Sequence, residues 1–258
     1  MIRTLENASL QAMAKGASFY EIGILRPARP GRESQMFTCV WDLDAIVKSI
    51  RWLCLENCRG RHIYIRPKGE HHLSLVDDLT RTSVKQMKVA GFQPAVLVQT
   101  SPGNFQAWLN HGRKLPADLS STIAQCLAER FGGDVKAAAW RQYGRLAGFT
   151  NRKEKHKQLN GLFPFVRLVE VSARVYETAE DFVAAAAAEL ERAKAVITES
   201  QTAYLSKAQP RKGIEDFRRN PQYRGDGNRM SPVIWCAGEC RESGDYQPRS
   251  LKEWTVHR

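Results

Sequence analysis

Two adjacent carboxylates, Asp77 and Asp78, close an apolar run at residues 72–76 (HLSLV), a placement that suggests chemistry. Burying two anions side by side is costly without a compensating charge. At a strand end bordering a cleft, the same pair suits Mg²⁺ or Mn²⁺, hard cations that prefer oxygen ligands. A turn after a strand also favours Asp, so the pair alone leaves both readings open. Asp134 follows Gly132-Gly133 and by itself reads as a turn residue. Ser101, Asn104 and Gln106 belong to a polar turn, SPGNFQ, whose small and amide residues can donate to phosphate oxygens. An ordinary hairpin turn with Trp108 in the core has the same composition.

The most distinctive stretch is residues 143–157, YGRLAGFTNRKEKHK. Gly144 and Gly148 let the backbone turn closely. Arg145, Arg152, Lys153, Lys155, His156 and Lys157 then arrive as a dense cluster, with Asn151 among them. Such a cluster suits a triphosphate or a nucleic-acid backbone, because Arg grips phosphate through two parallel hydrogen bonds. A solvated basic loop is the competing view. The whole chain leans the same way: 39 Lys and Arg against 27 Asp and Glu give a net charge of +12 over 258 residues. Neutralising phosphates releases condensed counterions, so nucleic acid is the expected partner.

Several elements must position these groups. Residues 18–25 (SFYEIGIL) read as a strand, and RPARPGRE as a turn. Over residues 41–55, Ile46, Val47, Ile50, Trp52, Leu53 and Cys54 give helical periodicity, with Asp42 as the N-cap. Capping and dipole complementarity explain Asp42-Leu43-Asp44 better than a metal motif does. Residues 62–66 (HIYIR) and 72–76 read as strands joined by PKGE, which has hairpin residues. A helix from about Thr82 precedes a second hairpin, residues 95–100 (AVLVQT) and 105–110 (FQAWLN). Leu119, Ile123, Cys126, Leu127 and Arg130 mark a helix started by Pro116 and stopped by Gly132-Gly133. A strand at residues 165–171 follows. Thr178 then opens an Ala-rich helix with Phe182, Ala186, Leu190, Ala193 and Ile197 along one stripe. The order is an α+β pattern with hairpins. Residues 1–198 read as one catalytic domain; 199–258 read as a basic, polar tail, partly disordered, with one short helix near 214–218.

Cys39, Cys54, Cys58, Cys126, Cys236 and Cys240 lack the paired spacing of a structural zinc site and read as reduced, packed thiols. No apolar run reaches the roughly 20 residues that cross a bilayer, and the N-terminus lacks a secretory apolar stretch, so a cytoplasmic protein with no membrane partner is expected.

Taken in order, VDD after a strand, TSPGNFQAW, GGD and YGRLAGFTNRKEKH resemble the RepB-type plasmid primases of the archaeo-eukaryotic primase superfamily, over roughly residues 19–170. The resemblance implies a primase-like catalytic core with a mixed or antiparallel sheet and flanking helices. It implies a DNA primase, a template-dependent nucleotidyltransferase that makes primers on single-stranded DNA from nucleoside triphosphates with two Mg²⁺ or Mn²⁺ ions, for plasmid or mobile-element replication. The family's first metal motif falls on Asp77 and Asp78, and its third on Asp134. Its second motif falls on the turn from Ser101 through Asn104 to Gln106, with Gln106 where the family generally has His. The basic motif places Arg145, Asn151 and Lys153 at the incoming nucleotide's phosphates, and Arg152, Lys155, His156 and Lys157 toward nucleic acid. Adjacent side chains on a regular strand point to opposite faces, so shared metal binding requires a bend or bulge at Asp77-Asp78. RepB-type primases that act alone add a helix bundle for initiation, for which the tail is too short and polar. A separate helix-bundle initiation domain or other replication proteins are therefore expected as partners.

Two other functions fit parts of the pattern. A non-catalytic single-strand-binding replication accessory would keep the basic cluster with vestigial acids. A nuclease or relaxase is suggested by His62 and His71-His72, although strand-end histidines are more often structural.

Overall fold

The computed structural model describes residues 2–28 and 30–207, the last three by backbone alone. Residues 1–203 form one compact unit. The remainder of the tail, including the helix expected near 214–218 and the pair Cys236 and Cys240, lies outside the described residues.

Helix α1 (Ile2–Lys15) leads into β1 (Tyr20–Arg26) and β2 (Gln35–Trp41). Helix α2 (Leu43–Cys58), β3 (His62–Pro67), β4 (Leu73–Leu79) and α3 (Arg81–Val89) follow. Next come β5 (Val96–Ser101), β6 (Asn104–Asn110) and α4 (Ala117–Phe131). The two-residue strand β7 (Gly144–Arg145), β8 (Arg167–Val171) and α5 (Ala179–Lys207) complete the series. The strands form two antiparallel sheets of four, ordered β2-β1-β3-β7 and β4-β6-β5-β8. The expected α+β class with antiparallel sheets and flanking helices is what folds.

One pairing differs from expectation. PKGE does not close a hairpin: β3 lies between β1 and β7, while β4 pairs with β6 in the other sheet. Turn residues permit a reversal but do not choose the partner. Here the choice follows burial, with Ile22 facing Ile65 and Ile24 facing Ile63 across β1 and β3, all four in one core cluster. The second hairpin, β5–β6, forms as expected.

Helix α1 and strand β2 escape sequence patterning for different reasons. The inner face of α1 is small and polar: Ala8, Ala12, Gln11 and Lys15 are all fully buried. Its Gln11 amide is tied to backbone on either side, donating to Arg145 O at 3.0 Å and accepting from Ala147 N–H at 2.7 Å. Strand β2 is a mostly exposed edge strand without the alternation of a half-buried one.

Helix α2 starts as its sequence dictates, the Asp42 carboxylate accepting from Ala45 N–H at 2.8 Å, while Asp44 pairs with Lys48 at 2.5 Å. Thr178 does not cap α5 with its side chain; its hydroxyl is buried without a partner. The packed stripe of α5 ends at Leu190, Ala193 and Ile197 are exposed, and the helix runs on past Thr198. The four described cysteines are free thiols, and Cys58, expected in the core, is exposed at the last turn of α2. No described helix is long and apolar enough to cross a membrane.

Candidate active site

Strand β4 pairs with β6 in register from Leu73–Asn110 to Val76–Ala107, then slips so that Leu79 meets Phe105. Three steps along β4 match two along β6, so one residue is extra: a bulge at Asp77-Asp78. Asp78 takes the left-handed conformation, φ +61°, which Asp tolerates better than most residues. Its N–H donates to Asp77 Oδ1 at 2.7 Å. The bulge brings both carboxylates to the wall of one cleft of about 230 Å³.

Asp134 arrives from the other side. Helix α4 ends at Gly132, φ +70°, and Gly133 then passes so near β4 that a Cβ on it would lie 2.7 Å from Val76 Cγ1 and 2.8 Å from Asp77 O. The Asp134 N–H donates to Asp77 O at 3.0 Å. Its Oδ1 accepts from the N–H groups of Lys136 and Ala137, capping a short 3₁₀ turn. Asp134 also lines the cleft, so all three acids share it.

The cationic wall comes from β7 and the loop beyond. Arg145 is buried, its Nη1 3.2 Å from His62 Nδ1 and its guanidinium 5.1 Å from the Tyr64 ring centre. Burial, with Arg145, Lys153 and Arg152 adding to it, pushes His62 down to about 4. The neutral imidazole can therefore accept from the guanidinium. Burial also lowers Arg145 itself. Lys153 is pushed below the ordinary lysine value by desolvation and by the charges of Arg145 and Lys155.

Gln106 is buried between the acidic and cationic walls. Its Oε1 accepts from Arg145 N–H at 2.8 Å, and its side chain hydrogen-bonds Asp77. Burial nevertheless holds the Asp77 carboxyl above its ordinary value, against the bonds from Gln106 and the Asp78 N–H. Asn104 donates to Asp78 and accepts from the Thr100 hydroxyl at 2.9 Å. Asn151 lines the cleft but spends its side chain on backbone, donating to Thr100 O and accepting from Lys153 N–H.

Ser101, Lys155 and His156 also line the cleft; Arg152 and Lys157 lie outside its lining. Arg152 reaches Cys58 O at 3.1 Å and stacks 4.4 Å from the Phe163 ring, with Lys157 5.8 Å from that ring. Tyr64 and Gln142 line the cleft although sequence patterning does not single them out, and Tyr143, the first residue of the basic motif, lines it without having been assigned a role. Proximity of Gln142 and Tyr143 to Arg145 was an available signal; for Tyr64, only the β3–β7 pairing reveals it.

Three carboxylates lining one cleft are a hard-oxygen donor set, which fits a divalent cation. In the structure one oxygen of each is occupied by a protein donor, and among the described residues no three His, Cys, Asp or Glu side chains are gathered tightly enough to grip an ion. The donors fit in kind, and binding requires them to draw together.

Residues 51–193 match the model of the RepB DNA-primase N-terminal domain, more than half of the chain. The chain belongs to that family. A crystal structure of primase RepB′ superposes with a TM-score of 0.72 at 32% identity, over 80% of this chain and 69% of that one. The catalytic domain of the same primase, solved in complex with initiator DNA, gives 0.67 at 36% identity, over 74% of this chain and 97% of that one. A cyanophage S-2L primase-polymerase domain of the archaeo-eukaryotic type shares the fold alone, at 0.51 and 11% identity over 69% and 95% of the two chains. Mobilization protein A of Escherichia coli is 36% identical over 194 residues, 74% of this chain and 27% of that protein. This RepB primase-family chain spans about a quarter to a third of the length of the curated relatives it matches.

Proposed function

We propose that this chain is a template-dependent DNA primase that acts in plasmid or mobile-element replication. The observation that carries this is one cleft lined by three acids, Asp77, Asp78 and Asp134, together with Arg145 and Lys153. In the reaction, a nucleotide 3′-oxygen attacks the α-phosphate of an incoming triphosphate. The new P–O bond forms as pyrophosphate leaves with the electron pair of the bond that breaks.

Asp77, Asp78 and Asp134 would hold Mg²⁺ or Mn²⁺, which would stabilise the attacking and leaving oxygens when bound. Arg145 and Lys153 neutralise the triphosphate. Arg145 is pre-set by His62 and Tyr64, so little reorganisation is needed as charge moves. Ser101, Asn104 and Gln106 frame the turn beneath the phosphates; Asn151 holds the loop that carries Lys153. Lys155 and His156 stand at the cleft rim, where single-stranded DNA template would enter, and Arg152 and Lys157 extend that cationic surface toward Phe163. A helix-bundle initiation domain or other replication proteins would assist primer initiation.

The test is nucleotide incorporation on a single-stranded template, with each metal and each nucleotide class, resolved on a product gel. Asp77→Ala and Asp134→Ala should abolish incorporation with the fold intact. Normal incorporation by both variants would defeat the assignment. Salt-sensitive binding without incorporation by the wild type would point to the accessory role, and cleavage to the nuclease. His71 accepts from Leu73 N–H at 3.2 Å and His62 faces Arg145, engagements that favour structural roles for both.

A further inference from the structure

Beside the cleft lies a second cavity of about 600 Å³, separated from it by Lys153 and Lys155, which line both. The far side is built from the end of α2 (Cys58, Arg59, Gly60), the loop after β1 and Phe163. Its charge is one-sided: Arg59, Arg152, Lys153 and Lys155 face a single acid, Glu154. Arg59 is steadied by Glu56 at 2.9 Å, and Arg152 by Cys58 O, while Arg152 Nε is buried without a partner. Lys153 and Lys155 have no carboxylate within ion-pair distance among the described residues. Crowding cations at one rim raises the energy of the empty protein, and a polyanion relieves it. The cavity lacks the paired acids of the cleft, so its chemistry is capture of phosphate without metal. Arg152 lies over the Phe163 ring at 4.4 Å, and a planar guanidinium held on an aromatic ring is a stack that a nucleobase can extend.

We propose that this cavity is a second nucleotide site, in which Arg59 and Lys155 take a phosphate and the Arg152–Phe163 stack takes the base. It rests on the primase reading for its purpose, since joining two nucleotides needs a second one held beside the first. The occupant's chemistry, a nucleotide phosphate with its base, is common to a free triphosphate and to a residue of a single strand. The experiment separates those sources.

Full-length protein is titrated, without metal, with a fluorescent nucleoside triphosphate and separately with a labelled single-stranded oligonucleotide. Wild type is compared with Arg59→Ala and Phe163→Ala, and thermal melting establishes that each variant is folded. Loss of the stacking platform should weaken the affected ligand roughly tenfold. Loss of Arg59 should reduce the salt slope of oligonucleotide binding by about one. A defect confined to the triphosphate identifies a free-nucleotide site, one confined to the oligonucleotide identifies a strand site, and defects in both identify a shared one. Cys58 supplies an independent readout, because its exposed thiol lines the cavity. Iodoacetamide labelling of Cys58, followed by peptide mass spectrometry, should slow severalfold when the site fills. Unchanged affinities in both variants, or a Cys58 rate indifferent to saturating amounts of both ligands, overturns the proposal. Incorporation by the wild type is assayed in parallel. Its absence alongside variant-sensitive binding would remove the primase reading and leave the nucleotide site standing.

Discussion

The main-chain N–H of Asp134 donates to the main-chain oxygen of Asp77 across 3.0 Å, joining two acids that are 57 positions apart in the chain. Gly133 makes that approach possible, since a Cβ there would meet Val76 and Asp77 at 2.7 and 2.8 Å, one of them backbone. Gly133→Ala should therefore push the Asp134 turn off β4. Overpacking of this kind costs about 1–3 kcal/mol. The effect on incorporation should be larger than the stability loss suggests, more than about tenfold, because misplacing a positioned group by about 1 Å is enough for that. Urea unfolding and an incorporation assay on the same preparation measure the two effects.

Gln106 ties the acidic wall to the cationic one. Gln106→Leu keeps the volume but leaves the buried Arg145 N–H without its acceptor, which should cost about 1–3 kcal/mol. Gln106→Glu restores an acceptor while setting a second carboxylate against Asp77. Stability should partly recover in the Glu variant and incorporation should not, as read by denaturant titration and product gels.

Lys15 has its ammonium fully buried, unpartnered, 3.0 Å from the Trp108 ring centre. A cation–π contact contributes about 2 kcal/mol when desolvated, less than the several kcal/mol needed to bury an unpaired charge. Desolvation wins, and the pKa falls well below 10.5. The unfolded state binds the Lys15 proton more tightly than the folded state, so Lys15 costs stability increasingly as pH falls below 10.5. Lys15→Met should stabilise the protein by roughly 1–4 kcal/mol at pH 7. The advantage should shrink as pH rises toward 10, a comparison made by urea unfolding at the two pH values.

His111 bridges Ser74 Oγ at 2.9 Å and Tyr176 OH at 3.0 Å, and burial pushes it down to about 4. His71 and His62 are displaced to the same value, also chiefly by burial. Each takes up its proton in the unfolded chain first, near 6.5. Stability should thus be lost as pH falls from 6.5 to about 4, by up to about 3 kcal/mol per group. His111→Gln should flatten part of that slope, which urea midpoints at pH 7, 6 and 5 would reveal.

Much of this protein is legible in the chain. Helical periodicity marks α2 and α4, which bury one face, and short apolar runs mark β4 and the β5–β6 hairpin, which are buried on both. Asp42 announces its cap because capping is local. The acids and the basic loop stand out by type, and the four motifs in order gave the family. Pairing is another matter. PKGE looks like a hairpin from its residues, yet β3 and β4 separate into different sheets, since distant isoleucines and not the turn decide which strands meet. Helix α1 is hidden because its buried face is made of Ala, Gln and Lys, and Gln11 matters through bonds to residues more than 130 positions away.

Alone, the sequence determined which groups are available: three carboxylates, two of them adjacent at a strand end, and a cluster of cations. Only the tertiary structure decided that Asp134 sits against Asp77, that Gln106 links Asp77 to Arg145, and that Arg152 turns away from the cleft toward Phe163. The physical reason is range. Caps and periodicity are set within a few residues, whereas a site is assembled by close approaches between segments whose meeting depends on everything packed between them.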